Sequence, residues 1–137
     1  MKKTVIFLLL LSSTAMAQNL RSGLWKTKSI LVLNNIPLPT SEGEECITDA
    51  QAKNVKEAIS KELKKSGCSL EHWKMKGQNL EASLSCKKDE LNAQGTIKGR
   101  VTAKSYDLTG KAEGTYSVIP SQATLKLTGQ WTQVCKK

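Results

Sequence analysis

The segment YDLTGKAEGTY, Tyr106–Tyr116, alternates without a break. Tyr106, Leu108, Gly110, Ala112, Gly114 and Tyr116 fall on one side, and Asp107, Thr109, Lys111, Glu113 and Thr115 on the other. A period of two, with apolar or small residues against polar ones, specifies a strand with one buried and one wet face. The glycines on the buried side, with Gly99 and Gly129 in flanking segments, let a sheet curl or let another backbone come close.

Working outward, Thr96–Ala103 and Ala123–Val134 complete a three-strand meander around this segment. Upstream lies a hairpin in which Gly77-Gln78 is a two-residue loop, with glycine at the first position as a type II′ turn requires. Trp73 and Met75 then face Ala82 and Leu80, and the alternation slips phase near Glu71 or His72, as one inserted residue would make it. Leu24–Leu33 also alternates, but its second half is apolar on both sides, which suits a strand between layers or beside an open apolar surface. Asn34-Asn35, Pro37 and Pro39 break it, and Thr40–Cys46 returns as a short polar strand.

One helix is expected, over residues 49–65. Thr48 with Gln51 has capping-box spacing, Ala52, Val55, Ile59 and Leu63 share a face, and Gly67 suits the left-handed position past the C-terminus. The fold class is therefore mainly β (α+β): a curved antiparallel sheet or partly closed β-barrel, with the helix packed at one end or across the opening.

Four cysteines permit three pairings. A helix of about 17 residues between Cys46 and Cys68 holds its ends about 25 Å apart, whereas a disulfide needs Cα atoms roughly 6 Å apart. Counting outward from the Gly77-Gln78 turn brings Cys68 almost opposite Cys86, which leaves Cys46 for Cys135. With one histidine and no Cys-x-x-Cys pair, a zinc site is not expected.

Met1-Lys2-Lys3, the apolar run Thr4–Leu11 and the small-residue stretch ending Ala15-Met16-Ala17 read as a secretory signal peptide over residues 1–17. The apolar run is shorter than the ~20 residues a bilayer-crossing helix needs. No cysteine stands at Gln18 to carry a lipid, so 18–137 is expected as a single untethered, disulfide-bonded, β-rich domain, periplasmic or secreted. The formal charge of +9 falls by two, to +7, without Lys2 and Lys3. That surplus favours anionic partners, but its spread along the chain does not suggest a specific nucleic-acid reader.

The succession of Gly23-Leu24-Trp25, Cys46-Ile47-Thr48 opening a helix, Cys68, Cys86-Lys87 closing the hairpin, glycine-spaced strands around Tyr106 and a terminal Cys135-Lys136 resembles the domain-of-unknown-function family 3617 (DUF3617) over nearly the whole mature chain. The resemblance implies a small exported bacterial protein with this cysteine framework, and no biochemical role. Relatives usually carry an arginine and a glycine before the last cysteine, where this chain reads Gly129-Gln130-Trp131-Thr132-Gln133-Val134.

No catalytic residue and no cofactor are expected. His72 is the only histidine, no Gly-x-Ser-x-Gly elbow surrounds a serine, and the acids Glu42, Glu44, Glu45, Asp89 and Glu90 read as solvated runs. The reading that remains is a monomeric, non-enzymatic binding module. A small apolar or lipid-like ligand would meet Trp25, Leu31, Trp73, Tyr106, Tyr116, Leu125 and Trp131. Alternatively a basic face of Lys26, Lys28, Lys98, Arg100, Lys111 and Lys126 would dock on an anionic envelope component or an acidic protein. An envelope hydrolase ranks last.

Overall fold

The computed structural model describes residues 19–136, so the expected leader over residues 1–17 lies outside the described residues. The alternating segment forms β7 (Ser105–Tyr116), paired antiparallel with β6 (Leu91–Val101) on one side and β8 (Ile119–Gln133) on the other. β4 (Cys68–Lys76) and β5 (Asn79–Lys88) extend the sheet beyond β6. On the far side of β8 lies β1 (Gly23–Leu33), whose outer edge takes β2 (Ile36–Pro37) at one end and β3 (Ser41–Ile47) at the other. The eight strands are one antiparallel sheet with the order β2-β1-β8-β7-β6-β5-β4, and β3 also on β1.

β2 and β3 on one side and β4 on the other are the free edges, and the sheet is not closed. The chain between β3 and β4 is helical. Instead of one helix over 49–65 there are two, α1 (Asp49–Ala52) and α2 (Val55–Lys65). The expected capping box is present at Thr48 and Gln51. The break follows because the Ala52 carbonyl accepts from the Leu20 amide, and the Asn54 side chain caps a new helix by accepting from the Glu57 amide.

The concave face and α2 share one core. Trp25, Ile97, Val101, Leu108 and Leu127 from the sheet and Ile59 and Leu63 from α2 are each under 2 % exposed. Burying such a side chain fully contributes roughly 1.5–3 kcal/mol. The sheet curls where side chains are missing: a Cβ on Gly99 would lie 2.0 Å from the Asp107 carbonyl oxygen, and one on Gly129 2.2 Å from the Tyr106 ring.

The β4–β5 turn follows the expected chemistry. Met75 pairs with Leu80 and Lys76 with Asn79 around Gly77, whose φ is +58°, and the register slips between Glu71 and Lys74, where His72 has φ +51°. The two disulfides are Cys68–Cys86, directly opposed in the hairpin, and Cys46–Cys135, which ties β3 to the segment after β8; their Cα separations are 4.0 and 5.8 Å.

Candidate functional site

Alternation divides the candidate residues between the two faces of the sheet. Trp25, Leu31, Tyr106, Leu125 and Trp131 point to the concave side, where they are packed rather than gathered round a void. Trp25 is fully buried, stacks on Tyr106 with ring centroids 5.8 Å apart, and donates its indole N–H to the Arg21 carbonyl. Trp131 is half-buried beneath the Arg21 guanidinium, 4.2 Å from its ring centroid, and donates to the Ser22 carbonyl. Trp73 is half-buried after the β4 bulge. Tyr116 stands apart, 44 % exposed at the end of β7. The cavities beside these residues, one against Leu31 and Leu125 and one against Tyr106, hold only about 10 Å³ each, room for a single water.

The opposite, outer face carries the cations. Lys26 and Lys28 on β1, Lys98 and Arg100 on β6, Lys111 on β7 and Lys126 on β8 are all exposed and all on this side. Lys74 and Lys76 on β4, which the sequence reading did not single out, join them through cross-strand rows. One row runs Lys74, Glu81, Lys98, Thr109, Lys126; the next runs Lys76, Asn79, Arg100, Asp107, Thr128, Lys28. Period-two alternation in each strand gives this face its polarity, but the order of strands in the sheet decides which lysines become neighbours.

Twist makes two open depressions on that face. One, of about 840 Å³, lies over β3, β1, β8 and β7 and mixes Lys26 and Lys28 with Glu42, Glu44 and Asp107. The other, of about 410 Å³, is lined by Lys74, Lys76, Lys98 and Arg100 with the single acid Glu81. The Arg100 guanidinium donates to the Gln78 side-chain carbonyl. The ion pairs here, Lys98–Glu81 at 3.7 Å and Lys28–Glu42 at 3.8 Å, are solvent-exposed, and such pairs are worth about 1 kcal/mol or less. They leave the cations free to exchange partners.

One acid departs from the expected solvated run. Glu45 turns in beneath α2, where its side chain is 20 % exposed and meets Lys61 at 2.8 Å and Lys65 at 3.6 Å. Glu62, on the apolar-facing side of α2, is 10 % exposed and meets Lys65 at 2.7 Å. A hydrogen bond from Glu62, helped by the two lysines, holds Glu45 down at about 2. Burial, then the neighbouring Glu45, push Glu62 up. Tyr106 points its hydroxyl at the same joint with no hydrogen-bond partner, and burial followed by the two carboxylates raises its pKa. Run composition hid Glu45 because its neighbours Glu42 and Glu44 alternate to the outer face while Glu45 and Ile47 face inward.

Among the described residues no group of three or more His, Cys, Asp or Glu side chains is placed to hold a metal. His72 is exposed at its bulge. No described helix is long and apolar enough to cross a membrane.

A family model described as a protein of unknown function, DUF3617, matches residues 20–135. No curated protein and no solved structure matches the chain.

Proposed function

Because the chain belongs to the DUF3617 family of proteins of unknown function, its role has to be read from its own surface, and we propose that it is an exported, non-enzymatic binding module that docks its outer sheet face on an anionic component of the cell envelope. The observation that carries this reading is the cofacial set Lys74, Lys76, Lys98 and Arg100 around one depression with a single acid. Four cations held on rigid strands present a preset positive field and lose little freedom when an anion arrives. Export is supported by the leader-like residues 1–17 and by two disulfides, which persist in oxidising compartments.

Charge reversal tests it. The wild-type chain should bind a soluble sulfated polysaccharide, and Lys98→Glu/Arg100→Glu should lose most of that affinity while keeping the wild-type unfolding temperature within a few degrees. Equal binding by both proteins would reject the assignment of this face.

A second reading keeps the concave side as a site for a small apolar molecule. Its support is the polar joint under α2: Glu45, Glu62 and the unpartnered Tyr106 hydroxyl are a costlier seam than apolar packing. In this reading α2 lifts and the ligand replaces it against Trp25 and Leu125. Saturable quenching of tryptophan fluorescence by fatty acids is the expected sign; no response across a chain-length series would end it.

A further inference from the structure

Four turns stand together at one end of the sheet, linked by backbone hydrogen bonds. The Asn34 amide donates to Gln122, Ser117 to Glu90, and Lys87 to Gly67, at 2.8, 3.1 and 2.8 Å. Among the described residues, this end carries most of the exposed large apolar side chains: Ile36 at 65 %, Leu38 at 38 %, Tyr116 at 44 %, Val118 at 93 % and Ile119 at 60 %. They occupy two adjacent projecting turns, since Leu33 pairs with Ala123 and Asn34 also bonds Ser121. The neighbouring turns add exposed Lys64, Lys87 and Lys88 against Asp89 and Glu90.

Val118 is strained. In the Ser117-Val118 turn both residues are left-handed, with φ +49° and +64°. Sterics disfavour that conformation most for a β-branched side chain. The adjacent Asn34-Asn35 turn solves the same geometry, φ +50° and +65°, with the residue type that tolerates it. Strain kept at an exposed tip, with an easy alternative in use next door, points to a role for the valine itself.

We propose that this rim is a membrane-docking surface, in which Val118, Ile119 and Ile36 enter the boundary between head groups and acyl chains of an anionic bilayer while the adjacent lysines meet phosphates. A stable protein interface needs roughly 800 Å² on each side, whereas five exposed apolar side chains on two turns suit shallow entry into a lipid interface. Apolar tips with tyrosine and flanking lysines suit the chemistry of the interface, where an aromatic hydroxyl and an ammonium stay wet while their stems are buried. The rim lies at the end of the strands opposite the Lys74–Arg100 depression, so the proposal rests on the outer-face reading only for the anionic character of its target, which it names as lipid.

The test compares the mature wild-type chain, Val118→Asn/Ile119→Thr and Lys98→Glu/Arg100→Glu by sedimentation with vesicles of phosphatidylcholine and phosphatidylglycerol in equal parts, and separately by binding to dextran sulfate. The rim variant should lose at least about tenfold in vesicle affinity, bind dextran sulfate as the wild type does, and melt about 4 °C or more higher from release of strain. Undiminished vesicle binding by the rim variant overturns the proposal, even where the charge-reversed variant loses both ligands and the outer-face reading stands. Vesicle binding lost only in the rim variant, with dextran sulfate ignored by all three, supports the rim and rejects the outer face. No vesicle binding by the wild type, or a change from dimer to monomer as the rim variant's only effect, overturns it in favour of no docking or of a second copy.

Discussion

Glu45, on the free edge strand β3, and Glu62, on α2, stand carboxyl to carboxyl, and the Lys65 ammonium bridges them at 3.6 and 2.7 Å. This joint fixes one side of the helix that lies across the open sheet, and its two acids titrate in opposite directions. Glu62 is raised, so its protonated form contributes stability that is full below the ordinary carboxyl range near 4.5 and is lost as pH rises through its folded value. Glu45 is lowered to about 2, so its contribution is present above 4.5 and is lost as pH falls toward 2.

Glu62→Gln should therefore remove the decline in stability on the alkaline side of Glu62's titration while keeping a donor to Glu45. Glu45→Gln should remove the acid-side loss between pH 4.5 and about 2 and lower stability at neutral pH. Urea midpoints measured from acid to neutral pH decide both; identical pH profiles for wild type and variants would refute the paired titration.

The two disulfides close loops of different length, with sequence separations of 18 and 89. Chain entropy alone predicts about 3 kcal/mol from Cys68–Cys86 and about 4.6 kcal/mol from Cys46–Cys135. Cys46→Ser/Cys135→Ser should thus destabilise more than Cys68→Ser/Cys86→Ser in chemical denaturation. The reverse order would mean that strain or residual structure outweighs loop length.

Tyr106→Phe should leave stability unchanged or raise it by up to about 1 kcal/mol, because it removes a buried hydroxyl that has no partner and leaves the ring on Trp25. Trp25→Ala should cost about 3–5 kcal/mol. A loss of more than about 1 kcal/mol in Tyr106→Phe would place a bound water on the hydroxyl.

The strands, the two-residue hairpin turn, the bulge near His72 and both cysteine pairs were legible in the sequence, because period two and turn chemistry are local and the cysteine geometry follows from them. The break at Lys53-Asn54 was not, since it depends on Leu20 reaching the Ala52 carbonyl from outside the helix. Nor was the depth of Glu45, which depends on Lys61 and Lys65 of α2 reaching it. Strand alternation places the basic residues on one face, but Lys74 and Lys76 become their neighbours only through the sheet order β6-β5-β4. Alternation puts Trp25, Leu31, Tyr106, Leu125 and Trp131 on the concave face, but that Ile59 and Leu63 of α2 pack against them there, and that Tyr116 stands exposed at the end of β7, depends on tertiary packing.

The most direct test of the docking account is the salt dependence of wild-type binding to dextran sulfate. If Lys74, Lys76, Lys98 and Arg100 engage the polyanion together, affinity should fall roughly a hundredfold between about 50 and 200 mM salt. Affinity that stays level across that range, or no binding at the lowest salt, would contradict a charge-driven outer face.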